Sequence, residues 1–320
     1  MKVSGIAASL ILAASVAACS AETGGADTGG TEGAANDAAA VIVDLRVRDN
    51  PEAAYVSLQE FTVPASHEIG DGMMPYEGIG WENGLVGYRM YLDGRLVSDI
   101  FGKQSPDPAL GQIDEYGSYH ELAPWGMDVL KVGPSLGLGG IGIMRGDQPE
   151  QFGSVPELSA SIGETGAANG VFTITAGGIE GASGNTGGFV ADYSIGSDSP
   201  LTRVKVKTNG ELPLATGLVM HDGAELLQSD GAEGTWRYVA TWGDTQSENK
   251  DGLGMALFYR ANEATYGGLA NSTHFVAFGQ PEFEYAFLAA WELDPSGINS
   301  REAFAALLTK ELAELEGTTE

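Results

Sequence analysis

From Val41 onward the chain alternates apolar and polar residues in short runs, at 41–47, 88–92, 171–175, 201–207, 236–242, 253–259 and 283–292. A period of two is the signature of a strand with one buried face. Between the runs stand turn pairs: Asp93-Gly94, Asn209-Gly210, Asp222-Gly223 and Asp251-Gly252. Such pairs reverse an extended chain because glycine tolerates the backbone angles of tight turns. The pattern predicts a mostly β protein, a large antiparallel β-sandwich. Only the end of the chain has helical spacing. Ser300 precedes Arg301-Glu302-Ala303, and Phe304, Leu307, Leu308, Leu312 and Leu315 fall on one side of a 3.6-residue period. No fixed-period repeat is present, which argues against a propeller or solenoid.

The N-terminus has a different pattern. Met1-Lys2-Val3 leads into an apolar run from Ile6 to Ala18, followed by Cys19. A basic start, a short apolar stretch and small residues before a cut are the parts of an export signal. The run is shorter than the roughly 20 apolar residues a membrane-spanning helix needs. Val16-Ala17-Ala18-Cys19 resembles the bacterial lipobox, which implies cleavage before Cys19 and lipidation of its thiol. Several acyl chains anchor a protein to a bilayer where one alone does so only marginally. Ser20 after the cysteine fits sorting to the outer membrane, facing the periplasm or the cell surface. Residues 21–40 are Gly, Ala, Thr, Asp and Glu with little to bury, the composition of a flexible tether. The expected organisation is a signal peptide at 1–18, the lipidated Cys19 with its tether at 19–40, and one β-sandwich domain at 41–320.

Acidic residues outnumber basic ones 44 to 16, for a formal net charge of -28 at pH 7. That field repels nucleic acid, so a nucleic-acid partner is not expected. Cys19 is the only cysteine, which excludes an intramolecular disulfide and any thiolate cluster. The chain has no phosphate-binding loop, no dinucleotide fingerprint and no Gly-x-Ser-x-Gly elbow. Its four histidines, His67, His120, His221 and His274, have no close metal-binding spacing. No cofactor is required by these residues, no metal ligands are assigned, and a role for a divalent metal stays open.

Polar chemistry is concentrated between residues 76 and 142. Read as one unbulged strand, 81–93 puts Trp81, Asn83, Arg89, Tyr91 and Asp93 on one face, and Val86, Met90 and Leu92 on the core side. Glu82 and Tyr88 then face the core and need buried partners. The first face has the makings of a ligand surface, with aromatic rings for stacking beside an amide and a guanidinium. Tyr119 and His120 supply a possible acid and base, since imidazole titrates near neutral pH. Asp128 and Lys131, three apart on a strand, point to opposite faces, so one of them is expected to be buried. Trp125 is a second candidate for stacking on a sugar ring. Arg203, Lys205 and Lys207 alternate with valines and read as an exposed outer strand.

Several of these pieces also carry a likeness. Tyr76-Glu77-Gly78, Gly80-Trp81-Glu82-Asn83, Gly87-Tyr88-Arg89, Asp99-Ile100-Phe101-Gly102-Lys103, Tyr119-His120 and the run from Gly126 to Gly133 resemble a secreted bacterial family of unknown function. Members of that family are typically encoded beside enzymes that degrade uronic-acid polysaccharides. The resemblance extends to the C-terminal strand and helix. It implies a sandwich like those of sugar mutarotases and many lyases, and an acidic oligosaccharide as partner.

Two principal readings follow. The first is a β-elimination enzyme on uronate oligosaccharides, a carbon–oxygen lyase or dehydratase. In it His120 is the base at C5 and Tyr119 the acid at O4, or the two roles are reversed, and Arg89 with Asn83 receives the carboxylate, Lys131 standing in reserve. Trp81, Glu82, Asn83, Tyr91, Trp125 and Lys131 form the substrate-binding set. The second is a glycan-binding lipoprotein that uses the same aromatic and cationic groups without catalysis. An aldose epimerase-like activity shares the expected architecture but is not favoured by any one residue.

Overall fold

Strand Val86–Tyr91 pairs antiparallel with Gly78–Glu82 on one side and Ser98–Lys103 on the other, and this three-strand unit is the centre of a five-stranded sheet. Ile42–Asp44 and Gly126–Asp128 close its edges. In the computed structural model, which describes residues 40–113, 117–181, 184–230 and 235–317, two further large sheets complete the body. One has five strands, centred on Leu138–Arg145, Leu214–Val219 and Thr273–Phe278. The other has nine and runs from Glu225–Gln228 across Trp236–Gly243, Leu253–Arg260, Glu282–Trp291 and Thr202–Asn209 to the short strand Glu60–Thr62. All named strand pairs are antiparallel, and the fold is the mostly β class that the alternation predicts.

The inner faces of the three sheets meet in one core. Trp81 and Tyr88 of the first sheet lie against Phe172 and Phe287 of the nine-stranded sheet, with ring centroids of Trp81 and Phe172 4.8 Å apart. Leu138, Ile141 and Val276 enter the same core from the second sheet. Close approach there depends on glycine. A Cβ at Gly139, whose φ is +75°, would sit 2.2 Å from the Phe287 ring.

The outer face of the nine-stranded sheet is partly covered by the helix Arg301–Gly317, which buries Phe304, Leu308 and Leu315 against Trp236, Ala256 and Phe258. Ser300 caps it, its Oγ accepting the Ala303 amide at 3.2 Å, as the sequence pattern predicts. No helix among the described residues is long and apolar enough to cross a membrane. The expected signal peptide at 1–18, Cys19 and the expected tether up to residue 39 lie outside the described residues.

Candidate functional site

The first sheet has two faces of opposite character, set by strand alternation. Val86, Tyr88 and Met90 point into the core, while Arg89 and Tyr91 point away from it. Register then fixes their neighbours. Arg89 stands opposite Asp99, and Phe101 opposite Asp128, so the guanidinium and two carboxylates share the outward face. Asp128 reaches this position because Gly126 begins its strand at φ +135°. A Cβ there would lie 1.7 Å from the Gly102 carbonyl oxygen, so no other residue fits.

Arg89 is 2 % exposed. Its Nη2 donates to Asp99 Oδ2 at 2.7 Å and to Asp128 Oδ2 at 2.6 Å. Its planar group is surrounded by the rings of Tyr91, Tyr119 and Phe101, at 4.7, 4.8 and 5.4 Å. Tyr91 donates its phenol proton to Asp99 at 2.7 Å and is clasped on its other side by Arg95, 3.9 Å from the ring centre. Arg95 is in turn held by Asp93 and Glu77. Two polar atoms of this network, Arg89 Nε and Asp128 Oδ1, are buried without a hydrogen-bond partner.

A cleft of ≈ 420 Å³ opens over the network, walled by Arg89, Tyr91, Asp99, His120, Asp128 and Lys131 among others. His120 stands at its mouth with its side chain 60 % exposed, on a short 3₁₀ turn, Ser118–His120, that starts from the left-handed Gly117. Its Nδ1 faces Asp128 Oδ2 at 3.4 Å. Lys131 lies on the far wall, 70 % exposed, and pairs with Glu248 at 2.5 Å. Of the two charges three residues apart, Asp128 is the buried one and Lys131 the exposed one.

Burial and charge shape the proton affinities. Burial, reinforced by Asp128, pushes the Asp99 carboxyl up to about 6 against the opposing effect of Arg89. Burial and Asp99 also hold the Tyr91 phenol well above its ordinary value. Desolvation works against the Arg89 cation, but the two carboxylates overcome it and hold its proton more tightly than usual. The hydrogen bond with Asp128 raises the His120 imidazole above its ordinary value, with burial opposing.

Not every expected residue reaches this cleft. The 81–93 segment is not one strand: Asn83 turns it into a hairpin, and the parity count therefore fails across the turn. Trp81 pairs with Tyr88 and is fully buried in the core, its Nε1 donating to Thr202 at 2.9 Å. Asn83 is fully buried too. Its Nδ2 donates to the carbonyls of Gly196 and Ser199, and its Oδ1 accepts the amides of Leu85 and Val86. Neither can stack on or bond a substrate there. Glu82 shares the outward face but is sealed, bound to Lys103 Nζ at 2.6 Å and to the amides of Ala109 and Leu110. The expectation that Glu82 and Tyr88 need partners holds for both, since Tyr88 donates to Pro200 O and accepts the Ala289 amide.

Tyr119 is buried beneath His120, their ring centres 4.5 Å apart, and does not line the cleft. Trp125 is half-buried, edge-on to Phe101 at 6.0 Å, and also stands off the cleft walls. His274 is occupied elsewhere, its Nδ1 2.8 Å from the Tyr266 hydroxyl. His67 pairs with Asp71 at 2.8 Å. His221 approaches the back of Lys131, whose backbone bonds to it. Lys207 pairs with Glu282, and Arg203 lies 3.9 Å from Glu284, on the outer face of the nine-stranded sheet. Among the described residues no group of three or more His, Cys, Asp or Glu is arranged to hold a metal ion. Arg95, Asp99 and Glu248 are cleft residues that the sequence reading did not select. The first two follow the Asp93-Gly94 turn, and folding the hairpin about that turn brings Asp99 opposite Arg89. Glu248 comes from a distant loop and has no such local signal.

Fold and cleft together define an antiparallel β-sandwich protein with an ionisable cleft on the outward face of its first sheet. Residues 5–319 match the family described as Domain of unknown function (DUF4861), and the chain belongs to that family. No curated protein matches it.

Proposed function

We propose that the protein catalyses β-elimination on uronic-acid-containing oligosaccharides, and that the cleft over Arg89 is its active site. The observation that carries this reading is the arrangement of His120: an imidazole at the mouth of a polar cleft, oriented through Nδ1 by a buried carboxylate. A base oriented by a carboxylate is a recurring design for proton abstraction. With Nδ1 turned to Asp128, Nε2 takes the C5 proton of the sugar acid. The electron pair of the C5–H bond forms the C4–C5 double bond as the C4–oxygen bond breaks. The departing oxygen takes a proton from Tyr91, which lines the cleft where Tyr119 does not; after product leaves, His120 releases the C5 proton to solvent and the phenol regains one from it.

The carboxylate of the substrate goes to Lys131. Its pair with Glu248 is at the surface, where such pairs contribute only about 0–1 kcal/mol, so it exchanges partners easily. Arg89, already balanced by two carboxylates, is a positioning residue that fixes Asp99 and Asp128. Lipidation at Cys19, in the resemblance to a lipobox, supports placing this activity on an exported, membrane-anchored protein, in the outer membrane.

The test is incubation of the purified protein with oligosaccharides of several uronate polymers. The ultraviolet absorbance of the new C4–C5 double bond is expected to rise, and mass spectrometry to show a split chain or the loss of water. Binding of the same fragments without either change would replace catalysis by glycan binding.

A further inference from the structure

Arg95 lines the same ≈ 420 Å³ cleft as His120 and Lys131, and the elimination gives it no contact with substrate. Its side chain is 22 % exposed, and its guanidinium lies over the Tyr91 ring. A guanidinium carries five N–H donors in a planar fork. Here Nε donates to both oxygens of Asp93 at 3.0 Å. Nη2 donates to Asp93 Oδ2 and, at 3.0 Å, to Glu77 Oε1. Nη1 bonds to none of the described residues, so two donors remain on the exposed part of a cleft residue. The fork is also held at a cost. Glu77, which grips it, has φ +66°, and Leu96, which follows it, has φ +45°. These are two of the five non-glycine residues with positive φ among the described residues. Strained backbone of this kind persists where surrounding contacts enforce it, and it clusters at ligand clamps.

Charge decides what Nη1 can hold. Asp93 and Glu77 set two carboxylates around one guanidinium. A second anion at this wall therefore meets more negative charge than positive, in a chain of net charge -28. An uncharged oxygen meets no such repulsion and still accepts a charge-assisted hydrogen bond. Lys131 differs, because a single exposed carboxylate, Glu248, balances it.

We infer that Arg95 is a specificity-determining residue, whose Nη1 donates to an uncharged oxygen of the bound oligosaccharide. The cleft then takes one carboxylate at Lys131 and a neutral acceptor at Arg95. It selects fragments in which a uronate adjoins a neutral sugar over fragments built of uronates alone. That the ligand is a uronate oligosaccharide rests on the proposed function; the preference of Nη1 for an uncharged acceptor does not.

Calorimetric titration with two sets of disaccharides tests this, one set of two uronates and one of a uronate joined to a neutral sugar. Binding is read in the His120→Ala background, which keeps the fragments intact, and turnover is read separately in the parent. The mixed set is expected to bind about tenfold more tightly than the two-uronate set. Arg95→Lys keeps a cation beside Asp93 and Glu77 but lacks the second amino group. It is expected to weaken the mixed set about tenfold and the two-uronate set less than about twofold. Glu77→Gln keeps an acceptor for Nη2 and removes one carboxylate. It is expected to tighten the two-uronate set about fivefold, with the mixed set within about twofold. Melting transitions check folding, and Glu77→Gln carries the test if Arg95→Lys does not fold. Equal affinity for the two sets, an equal loss of both in Arg95→Lys, or a preference unmoved in either folded variant overturns the inference. An Arg95-dependent preference without turnover by the parent removes the elimination reading and leaves this inference standing. Failure of both sets to bind overturns the two together.

Discussion

Two ion networks occupy the same face of the same sheet, and they differ in completeness. In the first, Lys103 and Glu82 are both 1 % exposed and 2.6 Å apart. Glu82 also accepts two backbone amides, and Lys103 donates to the Asn83 carbonyl. Leu110 and Ile113 close over it, packed in the cluster that covers that face. In the second, Arg89, Asp99 and Asp128 are as deeply buried, yet Arg89 Nε and Asp128 Oδ1 have no hydrogen-bond partner, and an exposed histidine touches the last carboxylate. A sealed network holds structure together. A network with open valences beneath a cleft has capacity to bond something else, and buried polar atoms of that kind call for such an explanation.

The comparison can be broken most forcefully at the sealed pair. Lys103→Met leaves Glu82 charged and buried, and is expected to cost about 3–5 kcal/mol of stability. Denaturant unfolding measures it, and a loss below about 1 kcal/mol would remove the distinction between the networks. Next is the pH dependence of stability. Asp99 has its folded value raised to about 6, so the folded state holds a proton that the unfolded chain releases earlier. Stability therefore falls as pH rises from the ordinary carboxylate range through about 6. His120, also raised, adds stability below its unfolded value that is lost as pH rises through its folded one. Asp99→Asn is expected to flatten the lower part of that decline in thermal melts taken across the same range.

A smaller effect is expected at Asp128. Because its hydrogen bond raises His120, Asp128→Asn lowers the imidazole value. The acidic limb of the pH–rate profile, which reports deprotonation of the base, then moves to lower pH. A limb that stays in place would separate His120 from the rate. The smallest effect is at Lys131. Lys131→Met is expected to change stability by less than about 1 kcal/mol, as surface pairs do. It is also expected to raise KM for a uronate fragment more than it lowers kcat.

The sandwich and its C-terminal helix were legible because alternation and capping are local signals. Runs at 236–242 and 253–259 match Trp236–Gly243 and Leu253–Arg260 within one residue at each end. Arg89, Tyr91 and His120 were legible as unusual residues in one segment, and the fold brings them to one cleft. What failed was the face assignment across Asn83, whose side chain bonds the backbone of its own turn and reverses the chain where a continuous strand was assumed. That one turn moved Trp81 from an expected ligand surface into the core. Tyr119 was misread for another reason. The two rings lie against each other at the 3₁₀ turn, Tyr119 beneath in the packed cluster and His120 above it, facing outward. Glu248 was invisible because nothing near it in sequence reports a contact formed with Val129 and Lys131, more than a hundred residues earlier.

His120→Ala tests the account most directly, since the side chain is largely exposed and its removal leaves the packing intact. Turnover of a uronate oligosaccharide by this variant is expected to fall by about 10²–10⁴, the usual contribution of a general base, with a melting temperature close to that of the parent. Turnover that survives in the folded variant would contradict the assignment of the cleft.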